Sequence, residues 1–190
     1  MQGAGPKPLA MLDGRPLIAH VIARLGPQVD HLLISANGPP GPYAGFGLPV
    51  LADTLPDHPG PLAGILAALD HLADTRPGAL LISAPADTPF LPHDLAARLL
   101  ARHNLIGGVV CAASAGRLHP VIALWPAGAR GPLRAALEGG ERRVTRLVQQ
   151  LDAASENWNP AGPPPHADPF FNVNTPEDLD QLRKSLNARE

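Results

Sequence analysis

The chain holds a single cysteine, Cys111, so no internal disulfide can brace it. Aromatic residues make up 4% of it, and Trp125 and Trp158 form no aromatic series on which nucleic acid could stack. A formal net charge of −2 leaves no broad electrostatic footprint for nucleic acid or an anionic membrane, so any anionic ligand must be held by a local cluster. No apolar run approaches the ~20 residues that span a bilayer. The N-terminus has neither a charged n-region nor an apolar h-region. These absences lead to the expectation of a soluble, cytoplasmic protein whose partners are small molecules, with no nucleic acid and no membrane among them; a monomer is the expected state, although the sequence does not reveal it.

What the chain does have is a hydrophobic content of 45% over 190 residues, enough to bury a substantial core, and the expectation is one domain over 1–190. Punctuation is dense, with 24 prolines and 19 glycines, mostly set between apolar periodic segments. The one real proline cluster, Asn159 to Pro165, reads as a surface loop. Helical spacing runs from Pro16 to Leu25. Short apolar strands follow at His31 to Ala36 and Leu48 to Ala52, then a helix from Pro61 to Leu72 and a strand entering Ala79 to Ser83. A helix from Pro92 to His103 leads to strands at Gly108 to Ala113 and His119 to Trp125, joined by a turn at Ala115-Gly116. Helices near Gly128 to Leu137, Glu141 to Leu151 and Pro176 to Leu186 complete the order. Such alternation predicts an α/β fold with a mostly parallel sheet covered by helices on both faces.

Within that order the segment Ala79 to Pro92 stands out, because an apolar strand delivers Asp87 to an abrupt turn at Thr88-Pro89. Ligands of open α/β sheets bind at the carboxyl ends of strands, where a carboxylate suits a hard cation such as Mg²⁺ carrying nucleotide phosphates. On spacing alone Asp87 could equally cap the helix near Pro92. Asp53 ends the preceding strand and shares the same rim. Gly60-Pro61-Leu62-Ala63-Gly64 opens a helix with free N–H groups that attract anions, although Pro61 is also an ordinary first helical residue and Gly64 could simply allow close packing. Asn37 precedes Gly38 in a position that closes a turn or hydrogen-bonds a ligand. Lys7 follows Gly3-Ala4-Gly5-Pro6, a partial phosphate cradle. Asn172 and Asn174 project on one side of an extended segment, and Thr175 with Asp178 forms a capping box. His119 has no second His or Cys at metal-ligand spacing, Arg142-Arg143 reads as either a solvated face or a phosphate contact, and Cys111 in its apolar strand reads as core.

Taken in order, Lys7, Gly14-Arg15-Pro16-Leu17, Asn37, Asp53, Gly60 to Gly64, Pro85 to Pro89, His119-Pro120, Glu141-Arg142-Arg143 and Asn172 to Glu177 resemble the molybdenum cofactor guanylyltransferases, MobA-like nucleotidyltransferases. The resemblance spans nearly the whole chain. It implies a three-layer α/β/α Rossmann-like fold and a reaction in which GTP and metal-loaded molybdopterin give the guanine dinucleotide cofactor and pyrophosphate. By the same resemblance Asp87 would hold Mg²⁺ and, with Lys7, carry catalysis. GTP would be bound by Lys7, Asn37, Asp53, Gly60 and Asp87. Asn172, Asn174, His119 and Arg142 would face the pterin. Molybdoenzymes or their chaperones are further partners that the resemblance implies. A cytidylyl or sugar-phosphate nucleotidyltransferase, and a non-catalytic cofactor-binding module, remain the alternatives.

The family pattern places a strand and a glycine-rich loop ahead of its lysine, and of these only Gly3 to Lys7 stand in this sequence. The expectation is therefore a domain that is N-terminally incomplete and lacks its first strand, with the natural start upstream of Met1; the alternative is a product that is truncated and inactive. Sequencing the DNA ahead of the Met1 codon should reveal, in frame, a strand followed by a glycine-rich loop. An immediate upstream stop codon would show the opposite.

Overall fold

The computed structural model describes residues 6–54, 60–159 and 168–187, the last helix with side chains to residue 184. Gly3 to Gly5 and most of the proline cluster, both singled out above, lie outside the described residues, as do Asp57 to Pro59 ahead of Gly60.

The described residues begin with a 3₁₀ turn, Lys7–Leu9, followed by a hairpin of β1 (Met11–Leu12) and β2 (Arg15–Pro16). Its two turn residues, Asp13 and Gly14, both have positive φ, the conformation that matches the twist of the flanking strands. Helix α1 (Leu17–Leu25) leads to β3 (Ile34–Ser35), which pairs in parallel with β4 (Val50–Leu51). Then come α2 (Pro61–Thr75), β5 (Leu81–Ser83), α3 (Leu95–Ile106), β6 (Val110–Ser114) and β7 (Arg117–Trp125). Helices α4 (Arg130–Glu138) and α5 (Val144–Gln150), strand β8 (Ala154–Trp158) and helix α6 (Pro176–Asn187) follow.

The α/β class stands, and the main sheet is mostly parallel as expected, with β7 alone reversed. Four strands run in the order β5-β7-β6-β8, with β7 antiparallel to both neighbours and β6 parallel to β8. The cause is the turn at Ala115-Gly116, where both residues have positive φ: a two-residue loop can join only antiparallel neighbours. Strand β8 escaped the sequence reading because Ser155, Glu156 and Asn157 break any apolar alternation, as suits a polar edge. Helix α3 begins three residues after Pro92, and its second residue, Ala96, donates its N–H to Gln28 Oε1 at 2.9 Å, a cap supplied from 68 positions away.

Alternation along the strands divides the core into two layers. Cys111, Ala123 and Trp125 point to one face and pack against α2, α4 and α5 through Leu66, Leu133 and Leu147. Val110, Ala112, Ile122 and Leu124 point to the other and pack against α1 and α3 through Leu25, Leu95 and Leu99. Cys111 is fully buried, and burial pushes its thiol up to about 12, so it is an inert core residue, as its strand position suggested. Strands β3 and β4 form a separate pair. Between that pair and the edge strand β5 lies a cleft of about 1840 Å³, lined by apolar side chains such as Val21, Ile22, Ile34, Ile65 and Ile82.

Gly64 performs the packing role that its sequence position allowed. A Cβ added there would overlap Ser35 Oγ and lie 3.3 Å from Ser35 Cβ, so α2 meets the end of β3 only because the side chain is absent. Gly64→Ala is expected to destabilise the fold by about 1–3 kcal/mol in urea unfolding, the range for overpacking. Adding Ser35→Ala should recover most of the loss. Unchanged stability in the single variant would contradict this contact.

Candidate active site

Strand β5 ends at Ser83, and the chain then turns through Pro85 so that Asp87 lies four residues past the strand. The backbone of this turn is pinned from outside, because Val173 N–H donates to the Asp87 carbonyl at 3.0 Å. Val173 is buried, and the residues on either side of it in an extended chain point the opposite way, as a pair. Asn172 and Asn174 accordingly converge on Lys7, whose Nζ donates to Asn174 Oδ1 at 2.8 Å and to Asn172 Oδ1 at 3.4 Å. The same ammonium forms an ion pair with Asp87 Oδ2 at 2.5 Å. Asp87 does not cap α3, where Asp94 occupies the capping position, so that alternative falls.

The second oxygen of Asp87 decides what this group can do. Oδ1 is buried and takes no hydrogen bond among the described residues, and the neighbouring Thr88 Oγ1 is in the same condition. Leaving such an atom unpaired costs about 1–3 kcal/mol or more, so the turn holds an oxygen ready for a donor or a hard cation. No cluster of three or more His, Cys, Asp or Glu groups that could hold a metal occurs among the described residues. A cation at Asp87 would therefore complete its shell from ligand phosphates and water.

The capping box read from the sequence is present. Thr175 Oγ1 accepts from Asp178 N–H at 3.1 Å, while Asp178 Oδ2 accepts from the N–H groups of Thr175 and Asn174, each at 2.8 Å. Burial alone would raise the Asp178 carboxyl; these hydrogen bonds and the nearby Lys7 charge outweigh it and hold the group below the usual carboxylate range. The cap thus fixes the backbone of Asn174 directly.

Asn37, Asp53 and Gly60 line the cleft beside β3 and β4. Asn37 does more than close a turn: its Nδ2 donates to Asp53 Oδ2 at 2.5 Å and its Oδ1 accepts from Asp53 N–H at 3.0 Å. Gly60, at φ 132°, sits at the start of α2 in a conformation suited to glycine. His119 belongs to a third group, with its Nε2 at 2.7 Å from Ser114 Oγ, which donates to Asp168 Oδ1 at 2.9 Å. Burial holds the imidazole below its ordinary value, and Arg117 adds to that while Asp168 opposes it. Sequence reading missed Ser114 and Asp168. Neither stands in a motif, and only the hairpin and the return of the chain after β8 bring them together. Arg142 joins none of these groups; it donates to the carbonyls of Leu137 and Glu141 and lines a separate surface pocket of about 500 Å³ with Arg143 and Arg146.

Residues 1–154 match the MobA-like NTP transferase domain. The chain belongs to that family. It is 51% identical over 185 residues to a molybdenum cofactor guanylyltransferase of Rhodopseudomonas palustris (strain BisB5), covering 96% of this chain and 86% of that protein. It is 48% identical over 185 residues to one of Bradyrhizobium sp. (strain ORS 278), covering 96% and 85%. The crystal structure of molybdopterin-guanine dinucleotide biosynthesis protein A from Archaeoglobus fulgidus superposes with a TM-score of 0.75 at 22% identity, covering 96% of this chain and 91% of that one. The fold is the Rossmann-like α/β fold of nucleotidyltransferases, as the resemblance implied. No helix among the described residues of this MobA-like chain is long and apolar enough to cross a membrane.

Loss of the cap in Thr175→Ala is expected to lower stability by about 1 kcal/mol. The depressed Asp178 carboxyl contributes stability that is present above the unfolded value of about 3.9 and disappears as pH falls through the folded one. Resistance of the wild type to urea should therefore fall below about pH 4, and Asp178→Asn should flatten that slope. An unaltered slope in the variant would remove Asp178 from this role.

Proposed function

We propose that this protein transfers GMP from GTP to molybdenum-loaded molybdopterin, yielding the molybdopterin guanine dinucleotide cofactor and pyrophosphate. The observation that carries the reading is the convergence of Asp87, Asn172 and Asn174 on Lys7, with the second oxygen of Asp87 buried and without a partner among the described residues. A terminal phosphate oxygen of the pterin attacks the α-phosphorus of GTP. The bond from that phosphorus to the bridging oxygen breaks, and the electron pair leaves with pyrophosphate in line. Phosphoryl chemistry of this kind is accelerated mostly by positioning and by offsetting charge.

Lys7 supplies positive charge that is oriented by two amide oxygens and shared between Asp87 and the phosphates. Asp87 Oδ1 fits Mg²⁺, which when bound offsets phosphate charge and organises the triphosphate. Asn37, Asp53 and Gly60, on the cleft, hold the guanosine part, with selectivity arising where a wrong base leaves polar groups unpaired. Asn172, Asn174 and His119 lie toward the pterin, and Arg142 serves it only as an outlying phosphate contact. Molybdoenzymes or their chaperones receive the product.

Pyrophosphate release with molybdopterin and saturating GTP, compared with CTP and a sugar phosphate, tests the reading. GTP should be preferred, and Asp87→Asn and Lys7→Met should each lower kcat by about 10²-fold or more while circular dichroism stays unchanged. Preference for CTP, or full activity in Asp87→Asn, would overturn it.

A further inference from the structure

The group around His119 is built more fully than a packing histidine requires. Ser114 is 1% exposed, on the last residue of β6. An ionised carboxylate only accepts, so the single Ser114 hydroxyl hydrogen goes to Asp168 Oδ1. Ser114 Oγ can then only accept from His119, which places the imidazole hydrogen on Nε2. Asp168 Oδ1 is held in turn by Phe170 N–H at 3.0 Å. The Phe170 ring lies against the imidazole with centroids 4.9 Å apart and is itself fixed edge-on against Trp158 at 5.2 Å. The remaining nitrogen, Nδ1, has no hydrogen-bond partner among the described residues.

This group is joined by one short stretch of chain to the Lys7 and Asp87 group. Asp168 and Phe170 orient His119, Asn172 reaches Lys7, and Val173 binds the Asp87 backbone. Phe170 and Asn172 are two residues apart, at most roughly 7 Å along the backbone.

We propose that Ser114 and Asp168 are positioning residues that lock His119 as the Nε2–H tautomer, so that Nδ1 serves as a hydrogen-bond acceptor for an N–H donor of the pterin substrate. Asp168 works through Ser114, Ser114 works through the imidazole, and only His119 touches the ligand. The pterin as occupant rests on the reading under Proposed function; the tautomer does not. A fixed acceptor discriminates for N–H groups and against carbonyl oxygens, which gives this end of the site a polarity that a freely rotating imidazole lacks.

A long-range ¹H–¹⁵N spectrum of the neutral imidazoles in the full chain should show His119 protonated at Nε2 and bare at Nδ1. A hydrogen on Nδ1 would overturn the proposal whatever the enzyme catalyses. In steady-state kinetics Ser114→Ala should raise KM for molybdopterin about tenfold, with KM for GTP changed less than twofold, and Ser114→Thr, which keeps the hydroxyl, should restore it. Equal rises in both KM values, or no rescue by Ser114→Thr in a protein of unchanged thermal stability, would reduce Ser114 to a structural residue. Absence of guanylyl transfer in wild type would instead defeat the functional reading and leave the spectrum to decide the tautomer.

Discussion

The contact between Lys7 and Asp87 joins the start of the chain to the turn after β5, and much of the candidate site is organised by what that contact demands. A half-buried ammonium beside a carboxylate needs further acceptors to satisfy its remaining hydrogens, and Asn172 and Asn174 supply them from the far end of the sequence. Those amides are in turn held by the buried Val173 between them, by its hydrogen bond to the Asp87 backbone, and by the cap that closes on Asn174. The site is thus rigid through interlocking hydrogen bonds, not through any single strong one. One carboxylate oxygen of Asp87 is spent on the lysine, and the other has no hydrogen-bond partner among the described residues.

The mixed sheet explains how such distant segments meet. Because the hairpin after β6 sends β7 back between β5 and β6, the strands that carry Ser83, Ser114 and His119 are neighbours, and β8 then returns the chain beside β6. The segment entering α6 crosses this end of the sheet, and Asp168, Asn172 and Asn174 are set down in order along it. Helix α6 packs through Leu179 and Leu182 against Leu12 and Leu17, so the opening hairpin and the closing helix stabilise each other beside Lys7.

Much of this was legible in the sequence where a local rule governs the outcome. The two-residue hairpin turn, the start of α2 at Pro61, the capping box at Thr175 and the paired projection of Asn172 and Asn174 all depend on neighbours within a few residues, and each is where the pattern put it. What depends on distant partners was not legible. The polar strand β8 exists because β6 offers it a parallel edge, α3 begins late because Gln28 caps it, and Ser114 meets Asp168 only after the chain has come back across the sheet. The reversal of β7 follows from its two-residue turn, but its place between β5 and β6 was not legible, since alternation of helix and strand does not record which edge a hairpin fills. That Asn37 and Asp53 each follow a strand was visible, but not that they would bind each other.

That mutual clasp has a consequence for the rim. Asn37 and Asp53 are bonded at two points, so the residues that follow β3 and β4 stay tied to each other two positions beyond the strand ladder. The two short strands part only if both bonds are given up as well, and the pair extends as one edge past its own ladder.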